Sequence, residues 1–146
     1  GMRFFMVPST SMEPTLLRQD YLITLNEDTY RRGDVVVLDD PEEPGAYIVK
    51  RVVGIGGDTV AVGGGFLYVD GKPMAEPYVL EPPRYFMRPV RVPPGFVLLL
   101  GDNRNNSNDS HIWDNKTQPL SAIVGRVRFI YYPYNRAGSL DRIALP

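Results

Sequence analysis

The sequence predicts a mostly β fold of antiparallel sheets, open or closed into a distorted barrel. Three observations carry this. Short β-branched and aromatic runs are punctuated by 14 glycines and 14 prolines. No window sustains a helical period of apolar residues. Asp70-Gly71, between Leu67-Tyr68-Val69 and Lys72, is a strong hairpin signal, because a tight hairpin turn needs left-handed backbone.

In chain order, the alternating and β-branched runs give strands near Arg3–Val7, Tyr21–Leu25, Val35–Leu38 and Tyr47–Ile55. Further strands follow near Thr59–Val62, Phe66–Val69, Phe96–Leu100 and Ile123–Tyr132. The triple glycine Gly63-Gly64-Gly65 reads as a turn. A phosphate loop would run on through Gly-Lys-Ser/Thr into a helix, whereas Phe66-Leu67-Tyr68-Val69 is strand-like. Pro73 to Pro94 reads as an irregular excursion between two better-patterned halves. The expected organisation is one domain over 1–146, with a core at about 3–62 and 96–136 and a less-patterned insertion at about 63–95.

Composition narrows the function classes. The chain has 146 residues, 43% hydrophobic and 23% charged, which suits an ordered globular chain with a real core. A formal net charge of -1 with scattered basic residues leaves no electrostatic footprint for nucleic acid. With 0 cysteines and 1 histidine, neither a disulfide framework nor a zinc site can be assembled. Only Lys50, Lys72 and Lys116 are lysines, so lysine chemistry has few candidates. No run approaches the roughly 18–20 apolar residues of a membrane span, and there is no signal-peptide pattern. Gly1 ahead of Met2 reads as the scar of a removed tag.

Three segments carry chemistry. In Pro8-Ser9-Thr10-Ser11-Met12-Glu13-Pro14-Thr15-Leu16, an apolar strand runs into three hydroxyls and a proline turn. A serine there can project from the sheet as a nucleophile, or can simply bond its own backbone. In Tyr47-Ile48-Val49-Lys50-Arg51-Val52-Val53-Gly54-Ile55, two cations interrupt an apolar strand. Neighbours on a strand face opposite ways, so one should point into apolar surroundings and the other out. A desolvated lysine loses its proton more easily and can serve as a base. The alternative is an edge strand guarded by charge. The third segment, Gly101 to Asp114, is a polar loop after Phe96–Leu100. It fails as a calcium loop, since Arg104 and Ser107 stand at the third and sixth positions from Asp102. A triad of Ser11, His111 and Asp109 is formally possible. So is an Asx-rich brace for the core.

Together these segments, with Arg32-Gly33-Asp34-Val35-Val36-Val37 between the first two and Gly57-Asp58 after the second, resemble the type I signal peptidase family. The order Pro-Ser-x-Ser-Met-x-Pro-Thr-Leu, Val-Lys-Arg-Val-Val-Gly and Gly-Asp-Asn-Arg-Asn-Asn-Ser-x-Asp-Ser covers Val7 to about Arg136. The resemblance implies a β-rich fold of antiparallel sheets with a short inserted β region. It makes Ser11 the nucleophile and Lys50 the general base of a Ser-Lys dyad. It makes Ser9, with the Ser11 backbone N–H, the oxyanion hole. Ser107 would orient the lysine, Asp109 would stand near that serine, and Arg51 with Asp102 would form a supporting ion pair. No cofactor is implied.

The implied substrates are preprotein signal peptides, cut after small residues at the first and third positions before the bond. Pro8 removes a backbone donor, which suits an open edge. The substrate is therefore expected to add as a strand along Phe5–Ser9 and Tyr47–Lys50. Phe5, Val7, Met12, Leu16, Ile48 and Val49 are the expected pocket wall. The implied place is the extracytoplasmic side of a cell or thylakoid-type membrane, with a lipid surface as partner. No anchor precedes Phe4, where relatives have one. Phe4-Phe5-Met6 cannot all face one side of a strand, so an outward apolar patch is expected beside the site. The sequence departs from the family in two places. His111 replaces the arginine of many bacterial members, as in the cyanobacterial and plastid branch. Asp114 replaces a glycine, and residues 115–118 enlarge that loop. Two other readings stay open: a different self-processing Ser-Lys protease, and a silent β-rich scaffold.

Overall fold

The computed structural model describes residues 1–143. Among them the chain is almost entirely strand and turn, with three short 3-10 turns. The strands are β1 (Met2–Met6), β2 (Tyr21–Leu25), β3 (Val35–Asp39), β4 (Tyr47–Ile55), β5 (Thr59–Gly63) and β6 (Phe66–Val69). They continue as β7 (Lys72–Pro73), β8 (Met87–Arg91), β9 (Phe96–Leu100), β10 (Thr117–Pro119), β11 (Ile123–Tyr132) and β12 (Gly138–Ser139). An 8-stranded sheet runs β1-β2-β11-β3-β4-β9-β10, with β12 on β11, and a 4-stranded sheet runs β7-β6-β5-β8. Every pairing is antiparallel.

The small sheet spans most of the expected insertion. It begins at Thr59, inside the stretch assigned to the core, and ends at Arg91. The Pro-rich excursion is not wholly irregular, because β7 and β8 close that sheet on both sides. Both are edges, where a proline's missing N–H leaves no ladder bond unmade. The hairpin at Asp70-Gly71 forms as expected, with φ of 52° and 79°.

Three apolar clusters hold the layers. Val7, Met12, Leu16, Leu22, Val35, Val37, Val49, Val127 and Ile130 fill one side of the large sheet. Val36, Leu38, Val52, Val97, Leu99 and Trp113 fill another. A third packs Val53, Leu98 and Leu100 against Val60, Val62, Leu67, Val69, Met87 and Val92 of the small sheet's region. β3 alternates between the first two clusters, so both of its faces are covered.

Gly54 lies at the irregularity where β4 shifts register against β9. A Cβ there would stand 2.6 Å from Val60 Cγ2 and 3.2 Å from Val92 Cγ2. Valine is stiff at χ1 and cannot swing aside. Gly54→Ala should therefore lower stability by about 1–3 kcal/mol, the usual cost of overpacking. An unchanged denaturant midpoint would show that the two sheets do not pack closely at this point.

Candidate active site

Lys50 and Arg51 sit near the middle of β4, flanked by β3 and β9. Alternation sends their side chains to opposite faces. The expectation that one would point out is corrected here, because both are buried. The second face is not open to water: the loop at Asp102 and the ring of Tyr78 cover it. Arg51 donates to Asp102 Oδ1 and Oδ2 at 2.8 and 2.7 Å and to the Gly33 carbonyl at 2.6 Å. The Tyr78 ring lies 3.7 Å from its guanidinium. Thr15 Oγ1 adds a 2.5 Å bond to Asp102.

Lys50 has no such carboxylate in contact among the described residues. Its Nζ stands 2.8 Å from Ser11 Oγ. Burial lowers its pKa below the ordinary lysine value, and the Asp109 and Asp40 carboxylates partly oppose that shift. Ser11 is also buried, at 7% exposure. Ser9 Oγ lies 3.1 Å from Ser11 Oγ and accepts the Ser11 N–H at 3.3 Å. The two proposed oxyanion donors are thus neighbours.

The Gly101–Ser110 loop closes the site from below. Asn103 N donates to the Ser11 carbonyl at 3.0 Å. A Cβ on Gly101 would collide with Ser107 Oγ and stand 2.5 Å from the Ser11 carbonyl oxygen, so only glycine fits there. Ser107 is buried beside Gly101, but its Oγ has no hydrogen-bond partner and does not reach Lys50 in this state. Asp109 accepts from Gly101 N at 2.9 Å and contacts His111 Nδ1. His111 stacks on Tyr85 with centroids 3.8 Å apart. It is Lys50 that stands at hydrogen-bond distance from Ser11 Oγ. Lys116 Nζ ties the enlarged loop to the His111 and Trp113 carbonyls.

The expected pocket wall divides. Val7, Met12, Leu16 and Val49 belong to one core cluster, and Phe5 is its partly exposed member. Leu16, Met12 and Val7, at 0%, 1% and 2% exposure, have almost no surface to offer a substrate and support the wall from behind. Ile48 packs with a different cluster, on the opposite face from Val49. Glu76, Tyr78, Arg104 and Tyr85 were missing from the expected site. Three of them lie in the excursion, where no periodic pattern marks them.

A family model described as "Signal peptidase, peptidase S26" matches residues 2–132. The chain belongs to the signal peptidase family. Probable signal peptidase I-1 of Synechocystis sp. is 41% identical over 95% of this chain and 78% of that protein. Signal peptidase I of Leptolyngbya laminosa is 41% identical over 92% and 70%. Thylakoidal processing peptidase 1, chloroplastic, of Arabidopsis thaliana is 40% identical over 87% of this chain and 41% of its own length. A solved signal peptidase I from Enterococcus faecalis shares the fold, with a TM-score of 0.57 and 22% identity over 68% of this chain and 97% of its own.

Burying Lys50 has a consequence for stability. Its folded pKa is depressed, so folding disfavours the charged lysine. That cost is fully present below the folded pKa and fades as pH rises toward the unfolded value of about 10.4. Lys50→Met should therefore raise the melting temperature at neutral pH while removing the basic group. A lower melting temperature would mean that Lys50 makes a net stabilising bond here.

Proposed function

We propose that this chain is a serine endopeptidase that removes N-terminal signal peptides from preproteins with a Ser11–Lys50 dyad. The 2.8 Å contact between a buried lysine and a buried serine, with no carboxylate in contact with the lysine among the described residues, carries this reading. A serine hydroxyl is a poor nucleophile until a base takes its proton. Neutral Lys50 takes it as Oγ attacks the scissile carbonyl. The tetrahedral oxygen accepts from the Ser11 N–H, and from the Ser9 hydroxyl once that turns from Ser11. Lys50 then gives the proton to the leaving amine. Water, deprotonated by the same lysine, releases the acyl group. Family membership and the matched motif support the reading; a scaffold would not need a lysine made easy to deprotonate.

The substrate lies extended beside Phe5–Ser9 and Tyr47–Lys50. Alternate substrate side chains then meet the same wall, with small residues preferred at the first and third positions before the cut. Activity should rise with pH through the depressed Lys50 pKa, because only the neutral amine accepts a proton. Lys50→Arg should abolish cleavage, since guanidinium stays charged. His111→Ala should keep much of it. Kinetics on peptides carrying Ala, Leu or Arg at those two positions test both points. A dead histidine variant beside an active arginine variant returns the Ser-His-Asp triad; preference for Leu or Arg overturns the substrate.

The enzyme works at the extracytoplasmic side of a cell or thylakoid-type membrane. Phe4 and Met6 are 59% and 48% exposed on the outer face of β1, while Phe5 turns toward the site. Tyr131, Tyr132 and Tyr134 are exposed nearby, with Phe4 and Tyr131 in edge contact. No helix among the described residues is long and apolar enough to cross a membrane. A patch of this kind suits a lipid surface. Co-sedimentation with neutral vesicles should occur at low and at high salt, because uncharged contacts are not screened. Absence of binding at both, with full activity in plain buffer, overturns the lipid contact.

A further inference from the structure

The segment 74–86, between β7 and β8, lies across the Gly101–Ser110 loop. Glu76 reaches in and accepts two bonds from Arg104, at 2.5 and 2.7 Å. Arg104 has a side-chain exposure of 0% and Glu76 of 6%, so this is a buried ion pair. Arg104 Nε donates to the Gly101 carbonyl at 2.9 Å. Gly101 and Asn103 are the residues against which the Ser11 carbonyl rests. Glu76 also accepts from the Tyr78 hydroxyl at 2.9 Å. The Tyr78 ring covers Arg51, the neighbour of Lys50 on β4. Leu80 N donates to the Asp102 carbonyl at 3.2 Å, and Arg84 N to Asn105 Oδ1 at 2.7 Å.

One carboxylate thus stands where two chains of contact meet. One leads through Arg104 and Gly101 to the nucleophile; the other leads through Tyr78 and Arg51 to the strand of the base. Stability alone does not account for it, because an apolar pair of similar volume is often as stable as a buried ion pair. An apolar pair could close the segment onto the loop equally well. It could not hold the Gly101 carbonyl or orient the Tyr78 hydroxyl.

We propose that Glu76 is a positioning residue, which holds Ser11 and Lys50 in mutual register from the far side of the Gly-Asp-Asn loop. This rests on the Ser-Lys reading above and assigns the inserted segment a part in the same reaction.

The test compares the full chain with Glu76→Gln and with a double variant, Glu76→Met with Arg104→Met. Glu76→Gln leaves a buried guanidinium uncompensated, and its melting temperature should fall. The double variant removes both charges and should recover that temperature. Its kcat on a signal-peptide substrate should stay at least about tenfold low, since small displacements at a reacting centre cost rate. Its KM should stay within about twofold, because no substrate contact is lost. Recovery of both melting temperature and kcat would make the pair merely structural and overturn the proposal. A second measurement needs no substrate. Amide exchange at Gly101 and Asn103 should be about tenfold faster in the double variant, with β2 and β11 unchanged, as local opening of the loop requires. Equal protection at those amides overturns the proposal even if the chain cleaves nothing. Failure of the Ser-Lys reading shows separately, as cleavage that survives Ser11→Ala.

Discussion

Two adjacent cations in an interior strand set the constraint that the rest of the site answers. β4 pairs with β3 along Tyr47–Arg51 and with β9 from Arg51 to Ile55, and both of its faces are covered at Lys50 and Arg51. Neither charge can reach water, and an uncompensated buried charge costs several kcal/mol. The two side chains allow different answers. Arginine keeps its proton at every accessible pH, so it must be given a counter-charge. Asp102 supplies one in fork geometry, and Gly33 takes a further donor. Lysine can lose its proton, so it can be given a hydroxyl instead. That difference separates the strand into a face held by an ion pair and a face where a lysine meets a serine hydroxyl.

Much of this was legible because it is written in local pattern. The apolar, β-branched run Tyr47–Ile55 marks a strand, and the Lys50-Arg51 pair that interrupts it marks an oddity. The Ser9/Ser11 turn and the Asx-rich loop are likewise local signals, and their order carries the family. What was not legible depends on coverage. Nothing in the strand itself says that Arg51 is roofed by Tyr78, because that contact joins residues far apart in sequence. Nor does the pattern of Leu16 say whether it lines a groove or lies under it. Val49 and Ile48 are both expected in the pocket wall, whereas the pleat sends them to different clusters. The strands of the excursion escape the sequence pattern for a physical reason. Its prolines sit at sheet edges and in connections, where they weaken the strand pattern without preventing pairing.

The acids around Lys50 act as a counterweight rather than as partners. Burial alone drives the lysine toward neutrality, and a base made too weak abstracts protons poorly. Asp109 and Asp40 raise its proton affinity from a distance. Asp109 is kept from moving closer because its oxygens are already engaged. Gly101 N holds one, and His111 holds the other through both its backbone N–H and its ring. Stacking on Tyr85 fixes the ring in turn. A carboxylate tethered in this way contributes field without forming an ion pair, which is the arrangement a lysine base requires.

The first strand joins the site to the outer surface through its pleat. Met2, Phe4 and Met6 alternate with Arg3, Phe5 and Val7. One set is exposed; of the other, Phe5 packs against the first core cluster and Val7 is part of it. Register between β1 and β2 is continuous from Met2 to Met6, so the two sets cannot exchange without a slip that would turn Val7 into solvent. Residues along a strand advance about 3.3 Å each, and Ser11 follows β1 after a short turn. The exposed apolar row and the candidate nucleophile are therefore fixed to one short stretch of backbone. With lipid against that row, the height of Ser11 above the bilayer would be set by the strand itself, and a substrate could be cut only where its chain leaves the membrane at that height.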